Sequence, residues 1–422
     1  MNKNFDTNGK INEEMEAVNP SLKILKSDYN SSNYGDIDDY VFMKPKVVKK
    51  KTSSSGSDNL SDAFDGTPIL RSNRHNVKKH NSHKRKKKMK KWKKALLSVG
   101  CVLLGLVLLV VGTVALLYYK GSSELINDDY SISAPKDVQI QNNGEFVVYN
   151  GVTYQYNKNI TSILLMGIDE RELDGQKVIG QAGQSDVNIL LTIDTLTGKI
   201  TMINISRDTM AEVTEYSTGG GYLGMETMQL CLAYSFGDGK ETSCENQVNT
   251  VKRLFYNVPI NSYYSLDLDG ISAINDSIGG VDVVSPETIG DFKQGETYHL
   301  EGDQAESFVR LRRHDTPDAN NYRMARQQVY IEAFMSKVLS QTKANISTPL
   351  DLFNASGEYS CTNLNASKVC YLAATAISNG GMSFDTLSVP GESKLNGEYA
   401  EFYVDETKFY EMFLSVFYQP VR

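Results

Sequence analysis

The hydrophobic pattern divides the chain before any single residue is considered. The first 70 positions show no period, with polar stretches such as SSNYGDIDD and KKTSSSGSDNLSD. Such a segment cannot bury a core and is expected to be disordered. The pattern inverts at residues 95–119, ALLSVGCVLLGLVLLVVGTVALLYY, which contain no charge. That run predicts one helix long enough to cross a hydrocarbon layer of roughly 30 Å. From about 120 to 157, Gly, Asn and Pro break any period, and a stem is predicted. The runs ITSILLMGI (160–168), VNILLTID (187–194) and KITMINIS (199–206) are then nearly continuously apolar. Strands covered on both faces have that composition. Thr195-Leu196-Thr197-Gly198 is a turn sequence joining the last two runs into a hairpin.

Helical spacing follows. Val248, Val251, Leu254 and Phe255 mark one helix, and Ile271, Ile274 and Ile278 a second that ends on Gly279-Gly280. A third is predicted from about Tyr322 to Leu339, with Ile331, Phe334 and Val338 on one face. TLSVPG reads as a strand, and YAEFYVDETKFYEMFLSVFY as a strand and then a helix capped at Asp405. The fold class is α/β: a three-layer α/β/α domain with a central mixed sheet, anchored by one N-terminal transmembrane helix. The predicted organisation is a tail with a polybasic run (1–94), the span (95–119), the stem (120–157), a catalytic domain (158–345) and a C-terminal α/β part packed on it (346–422).

Charge gives this layout a direction. The 422-residue chain has a formal net charge of −7, but residues 1–119 carry +11 and residues 120–422 carry −18. Arg71–Lys94 supplies 13 Lys and Arg and no acid, ending in KRKKKMKKWKK against the span. The positive-inside rule places that side in the cytoplasm and the acidic half outside, with Trp92, Tyr118 and Tyr119 as interfacial aromatics. The run is too long, and too far from the start, for a cleaved signal peptide. A polybasic patch beside a span is a topology signal that meets anionic membrane lipid, so no nucleic acid is expected. Cys231, Cys244, Cys361 and Cys370 all fall on the outer side, where disulfides are permitted. Four cysteines allow three pairings, and the local ones, Cys231–Cys244 and Cys361–Cys370, close the shortest loops. Only His299 and His314 lie in the acidic half, which argues against a histidine-rich zinc site or a Ser-His-Asp triad.

Four stretches place charge at the ends of apolar elements: MGIDER with Asp169, GQSDVN with Asp186, ISRDT with Arg207 and Asp208, and FVRLRRHDTPDANNYRMARQQ. The last contains Arg310, Arg312, Arg313, Arg323, Arg326 and Gln327. In an extended segment Arg310 and Arg312 share a side. At helical spacing Arg323, Arg326 and Gln327 share a face. Guanidinium groups grip phosphate in bidentate fashion, and carboxylates at strand ends suit magnesium. The set suggests a bound polyanion with a divalent cation. Surface salt bridges are the plainer explanation for any one arginine taken alone.

The ordered succession ILLMGIDER, GQSDVNILLTID, ITMINISRDT, INDSIGGVDV and SFVRLRRHD…YRMARQQ resembles the LytR–CpsA–Psr family over roughly residues 158–345, and the layout of tail, span and outer domain is similar too. The resemblance implies a phosphotransferase of the bacterial envelope. Such an enzyme moves a teichoic acid, capsular polysaccharide or related glycan from a polyprenyl-pyrophosphate carrier onto peptidoglycan through a phosphodiester. Carried over by position, it implies Asp169 and Asp186 as ligands of Mg2+ (or Mn2+) and Arg207 as the pyrophosphate grip, with Asp208 beside it. It further implies Arg310 and Arg312 as the paired arginines and Arg323, Arg326 and Gln327 as the polar helix of the lipid-pyrophosphate site. Asp169 is also a candidate proton acceptor. Helices near 246–256, 268–279 and 326–340 are expected to wall an apolar tunnel for the isoprenoid. The chain departs from the family pattern at Gln184-Ser185-Asp186, where Arg-Ser-Asp is usual, so Arg171 or Arg313 is the expected substitute; Ser206 in place of proline is milder.

Two other functions fit parts of the pattern. A type II membrane glycosyltransferase would use Asp267-Leu268-Asp269 as a DxD metal site, although Asp269 reads more simply as a helix cap. A regulator that binds lipid-linked glycan would need no turnover. Magnesium-dependent release of lipid phosphate separates both from the transferase.

Overall fold

The computed structural model describes residues 108–109, 111–125, 130–313, 319–378 (319–321 by backbone alone), 384–397 and 399–421. The predicted tail, the polybasic run and half of the predicted span lie outside the described residues. Among the described residues no helix is long and apolar enough to cross a membrane. The chain divides into a unit at Val48–Thr113, whose described residues are helical, and a second unit that contains Val114–Arg422. All that follows concerns the second.

Residues 114–125 are helical, and this helix is fitted to the domain at its end. Tyr118 meets Tyr371 at 4.9 Å between ring centroids, and Leu125 is buried. Gly121 approaches so closely that a Cβ there would lie 2.2 Å from the Ser367 carbonyl oxygen.

The predicted stem is not irregular. It holds β1 (Gln139–Gln141), β2 (Phe146–Tyr149) and β3 (Val152–Tyr156), antiparallel to one another and closed by β16 (Tyr418–Pro420). The residues that hid a period are its turns. Asn150 and Gly151 have φ of 50° and 75°, the left-handed pair that a tight hairpin requires. Asn-Gly here is a hairpin signal, not a break.

The central sheet has six strands. Its core is β4 (Ile160–Ile168), β5 (Ser185–Asp194) and β6 (Ile200–Ile205), consecutive and antiparallel. The predicted turn after β5 forms, with Asp194 Oδ1 accepting from the Leu196 and Thr197 amides and Gly198 at φ 73°. A projecting ribbon of β7 (Met210–Tyr216) and β8 (Tyr222–Gln229) follows, and then helix α1 (Glu241–Leu254). The next strand, β9 (Ser262–Leu266), adds parallel to β4 and runs into α2 (Leu268–Ser277). A hairpin of β10 (Val281–Val284) and β11 (Thr297–Leu300), with α3 (Asp303–Arg310), leads to the long α4 (Ala319–Ala344) and to α5 (Thr348–Ala355).

The segment after residue 345 completes the same sheet. Its β12 (Ser360–Thr362) is antiparallel to β9 at one edge, and after α6 (Ala366–Ser378), β13 (Phe384–Ser388) is parallel to β6 at the other. A last hairpin, β14 (Gly391–Asn396) with β15 (Tyr399–Val404), precedes α7 (Glu406–Phe417). The Asp405 side chain caps α7 through the Lys408 amide, as its sequence predicts.

Alternation along β4 to β6 sends apolar side chains to both faces. Leu164, Met166, Leu190 and Ile203 join Val251 of α1, Phe255 just past its end, and Phe409, Phe413 and Phe417 of α7. Each of those phenylalanines is worth about 1.5–3 kcal/mol when fully buried. Ile163, Ile189, Leu191 and Met202 face the other way, onto Leu339 of α4 and Tyr371, Leu372 and Ala376 of α6. A third cluster, with Ile278, Val281, Leu300, Phe308 and Tyr330, ties α2, α3 and the β10–β11 hairpin to α4. The three helices expected to wall one tunnel therefore do not share a space: α1 lies on one face of the sheet, and α4 on the other with α2 beside it.

Candidate functional site

Strand direction alone assembles the site. Strands β4 and β6 leave the sheet at the end where β5 enters it, and Ile168 pairs with Ser185. Asn188 pairs with Ile205, so continuing that ladder sets Asp186 across from Arg207. Asp169, Gln184, Asp186, Arg207 and Asp208 thus converge from three strand ends. Their backbones are tied together: the Asp169 amide donates to Gln184 O at 3.1 Å, and Arg207 O accepts from the Cys231 amide at 3.0 Å.

Arg207 is the hub, only 7% exposed. Its guanidinium bonds Asp186 Oδ1 and Gln184 Oε1, and its Nε lies 3.4 Å from Asp208 Oδ1. Arg323, also 7% exposed, enters from α4 and reaches Asp186 Oδ2 at 3.3 Å. Asp169 accepts from the Gln184 amide. Burial pushes the Asp169 carboxyl above the usual range, against the pull of that amide and of Arg207. Burial likewise raises Asp208, although Arg207, Arg323 and Arg312 all draw it down. Asp169 is half-buried and Asp208 buried, and both carboxyls are raised against the pull of neighbouring arginines, a perturbation found at functional sites and in structural ion-pair networks alike. Arg312 is exposed at the edge of this group.

Other predicted residues lie elsewhere or do other work. Arg310 is not extended but ends α3, where Glu306 Oε1 accepts from its Nη1 at 2.6 Å. It therefore does not share a strand side with Arg312. Arg326 is fully enclosed at 0% exposure, bonding Glu287 Oε1 and the carbonyls of Phe308 and Leu311, and burial lowers its pKa. It braces the end of α3 against α4 and presents no donor to a ligand. Gln327 reaches Val309 O at 3.4 Å. Both expected substitutes for the missing arginine at 184 are engaged. Arg171 pairs with Asp269 at 2.5 Å and with both oxygens of Glu306 at 2.7 and 3.0 Å. Arg313 pairs with Glu287 at 3.3 Å and lies over the Tyr322 ring. Gln184 itself supplies Arg207 with a neutral acceptor, where an arginine would repel it.

The DxD pair divides into two unrelated tasks. Asp267, not Asp269, caps α2, accepting from the Gly270 amide at 2.8 Å; burial pushes its carboxyl up to about 6. Asp269 holds Arg171. The two predicted disulfides are absent. Cys231 lies at the site, 3.6 Å from Gln184 Oε1, with burial pushing its thiol up to about 11. Cys244 is in the core beside Cys361.

Sequence reasoning missed Glu287 and Glu306, which hold two arginines each. Glu306 lies four residues before Arg310, and that i,i+4 spacing was a usable signal. Glu287 had none, because its partners are 26 and 39 residues away.

A sequence profile described as the LytR_cpsA_psr family matches residues 116–415. A relative in Enterococcus faecalis, named polyisoprenyl-teichoic acid–peptidoglycan teichoic acid transferase TagU, is 30% identical over 256 residues, covering 60% of this chain and 74% of that protein. Another protein of that name, from Halalkalibacterium halodurans, is 27% identical over 312 residues, covering 73% and 92%. Among solved structures, protein gbs0355 from Streptococcus agalactiae shares the fold, with a TM-score of 0.50 and 22% identity over 61% of this chain and 86% of that one.

Proposed function

Because the chain belongs to the LytR–CpsA–Psr family, we propose that it is a membrane-anchored transferase of the cell envelope. It moves a glycopolymer of teichoic acid or capsular type from a polyprenyl-pyrophosphate carrier to peptidoglycan, in keeping with the names of its relatives. The observation that carries this reading is the cluster at the sheet end. Asp169, Asp186 and Asp208 oppose Arg207, Arg312 and Arg323, and two of the carboxylates remain raised by burial. Three carboxylates and three arginines cancel. A diphosphate diester brings two negative charges and a magnesium ion two positive ones, so donor and metal together leave the site neutral.

Magnesium suits this donor set, since it takes one or two carboxylates and completes its shell with phosphate oxygens and water. Asp169 and Asp186 would hold it, and when bound it would neutralise charge on the diphosphate. The chain's own residues do the rest. Arg207 and Arg323 orient the diphosphate and stabilise charge that grows on the transferred phosphoryl group, with Arg312 and Arg310 at the rim. A hydroxyl of peptidoglycan attacks the phosphorus next to the sugar, the bond to the bridging oxygen breaks, and polyprenyl phosphate leaves. The hydroxyl proton passes to Asp208, whose carboxyl burial raises above the usual range.

The isoprenoid would lie along one face of the sheet. From Arg323, helix α4 presents Ile331, Met335 and Leu339 to the layer it shares with α6. An open groove of about 510 Å³ lies beside that layer, lined by Gln328 and Glu332 of α4 and by Phe384, Asp385, Thr386 and Leu387 of β13, so four of its six lining residues are polar. Gln328 is five residues beyond Arg323, about 7.5 Å along the helix.

The test is incubation of the purified full chain with a polyprenyl-pyrophosphate-linked saccharide and peptidoglycan. Release of polyprenyl phosphate that needs magnesium, and that falls steeply in Arg310→Ala while folding is kept, supports the reading. No release with magnesium present, or transfer from a soluble nucleotide-sugar instead, overturns it.

A further inference from the structure

Cys244 and Cys361 are far apart in sequence but share one core cluster, at 0% and 6% exposure. Cys244 is on α1, which covers the sheet face toward which Tyr263 and Ser265 of β9 point. Cys361 stands directly opposite Ser265 in the antiparallel β9–β12 pair. Opposed residues in such a ladder project to the same face, about 4.5–5.5 Å apart at Cβ. The Cys244 thiol donates to Ser265 Oγ at 3.4 Å, and that hydroxyl donates to the Cys361 carbonyl at 3.1 Å. A single serine therefore touches both cysteines.

We propose that Cys244 and Cys361 form a disulfide when the chain meets a disulfide oxidant, tying helix α1 to the edge strand β12. The direction of attack follows from access: Cys361 lies on an edge strand and keeps 6% exposure, whereas Cys244 is fully buried, so the oxidant reaches Cys361 first. The shifts agree in direction, the Cys361 thiol lying below its usual range and burial raising Cys244. The Cys361 thiolate attacks one sulfur of the oxidant and releases a thiolate. The Cys244 thiol then attacks the Cys361 sulfur of the mixed disulfide, and its proton goes to the second thiolate as that group leaves. Two cysteines are oxidised and one disulfide is reduced to two thiols. Ser265 keeps its bond to the Cys361 carbonyl, so the reaction leaves no buried hydroxyl without a partner.

The bond would matter because β12 is short and lies at the sheet edge, where ladders open first. It leads into α6, a wall of the apolar layer. Closing a loop of more than a hundred residues is at the strong end of disulfide effects.

The test treats purified full-length protein with oxidised glutathione, alkylates the remaining thiols in denaturant and maps linked peptides by mass spectrometry. The expected result is one intramolecular link joining the peptides of Cys244 and Cys361, with Cys101, Cys231 and Cys370 alkylated. Tm should rise by roughly 5–10 °C, lost on reduction and absent in Cys361→Ser. Mapping of the wild-type chain needs no variant to fold. Alkylation of Cys244 and Cys361 after oxidation, or a link from either to another cysteine, overturns the proposal.

Discussion

Two groups of buried arginine lie on either side of α4's first turns, and they differ in what completes them. Around Glu287, the guanidinium of Arg326 meets a carboxylate and two carbonyls, all supplied by the protein. Around Arg207, the protein supplies as many charges but leaves Asp169 and Asp208 raised by burial. Buried charge costs several kcal/mol per ion unless it is compensated. The first group is sealed: Arg326 has no exposed surface and its guanidinium meets only protein acceptors, although burial lowers its pKa just as it raises the two carboxylates. The second reaches solvent through Arg312 at its edge, so under the proposed function a ligand can complete it. A pKa shifted by burial does not by itself mark function; access to the shifted group does.

Substitutions can break that contrast. The largest effect is expected from Arg326→Ala, which leaves Glu287 with Arg313 alone and takes the buried donors from the Phe308 and Leu311 carbonyls; it should lower stability by about 3–5 kcal/mol in denaturant titration. The turnover of the molecules that remain folded should stay near normal. Arg207→Ala reverses the pattern: turnover should fall by about 10²–10³-fold, with a smaller change in stability because Asp186 keeps Arg323. Equal damage from both substitutions to both readouts would erase the distinction.

Glu306→Gln sharpens it at the rim. Arg171 and Arg310 would lose a shared anion but keep an acceptor. A rise in KM of about tenfold with kcat little changed is expected, equivalent to about 1.4 kcal/mol. An unchanged KM would remove Arg310 from the donor site.

The smallest effect belongs to Asp267→Asn. The folded protein holds the Asp267 proton up to about pH 6, above the ordinary 3.8. The native state therefore binds more protons than the unfolded chain between those values, and stability falls as pH rises through that window. Asparagine still caps α2 and should flatten this slope in Tm measured from pH 4 to 7, with turnover unchanged. A steep loss of turnover would restore the DxD reading.

How much of this was legible in the sequence depended on distance along the chain. Strands β4 to β6, the Thr195–Gly198 turn and the Asp405 cap are written in neighbouring residues, and the convergence of Asp169, Asp186 and Arg207 follows from hairpin direction. The stem strands were hidden because Asn150-Gly151 was read as a break. Arg310 was misplaced because FVRLR looks extended, while the helical spacing of Ala305, Phe308 and Val309 was passed over. Glu287 and the meeting of Cys244 with Cys361 were out of reach, because each depends on elements joined only by tertiary packing.

The most direct test of the central claim is calorimetric titration of geranylgeranyl pyrophosphate, a diphosphate with an isoprenoid tail, into the wild type, Arg207→Ala and Arg326→Met, with and without magnesium. The account predicts magnesium-dependent binding to the wild type and to folded Arg326→Met, and its loss in Arg207→Ala. Undiminished binding by Arg207→Ala, or binding that fails only in Arg326→Met, would contradict it.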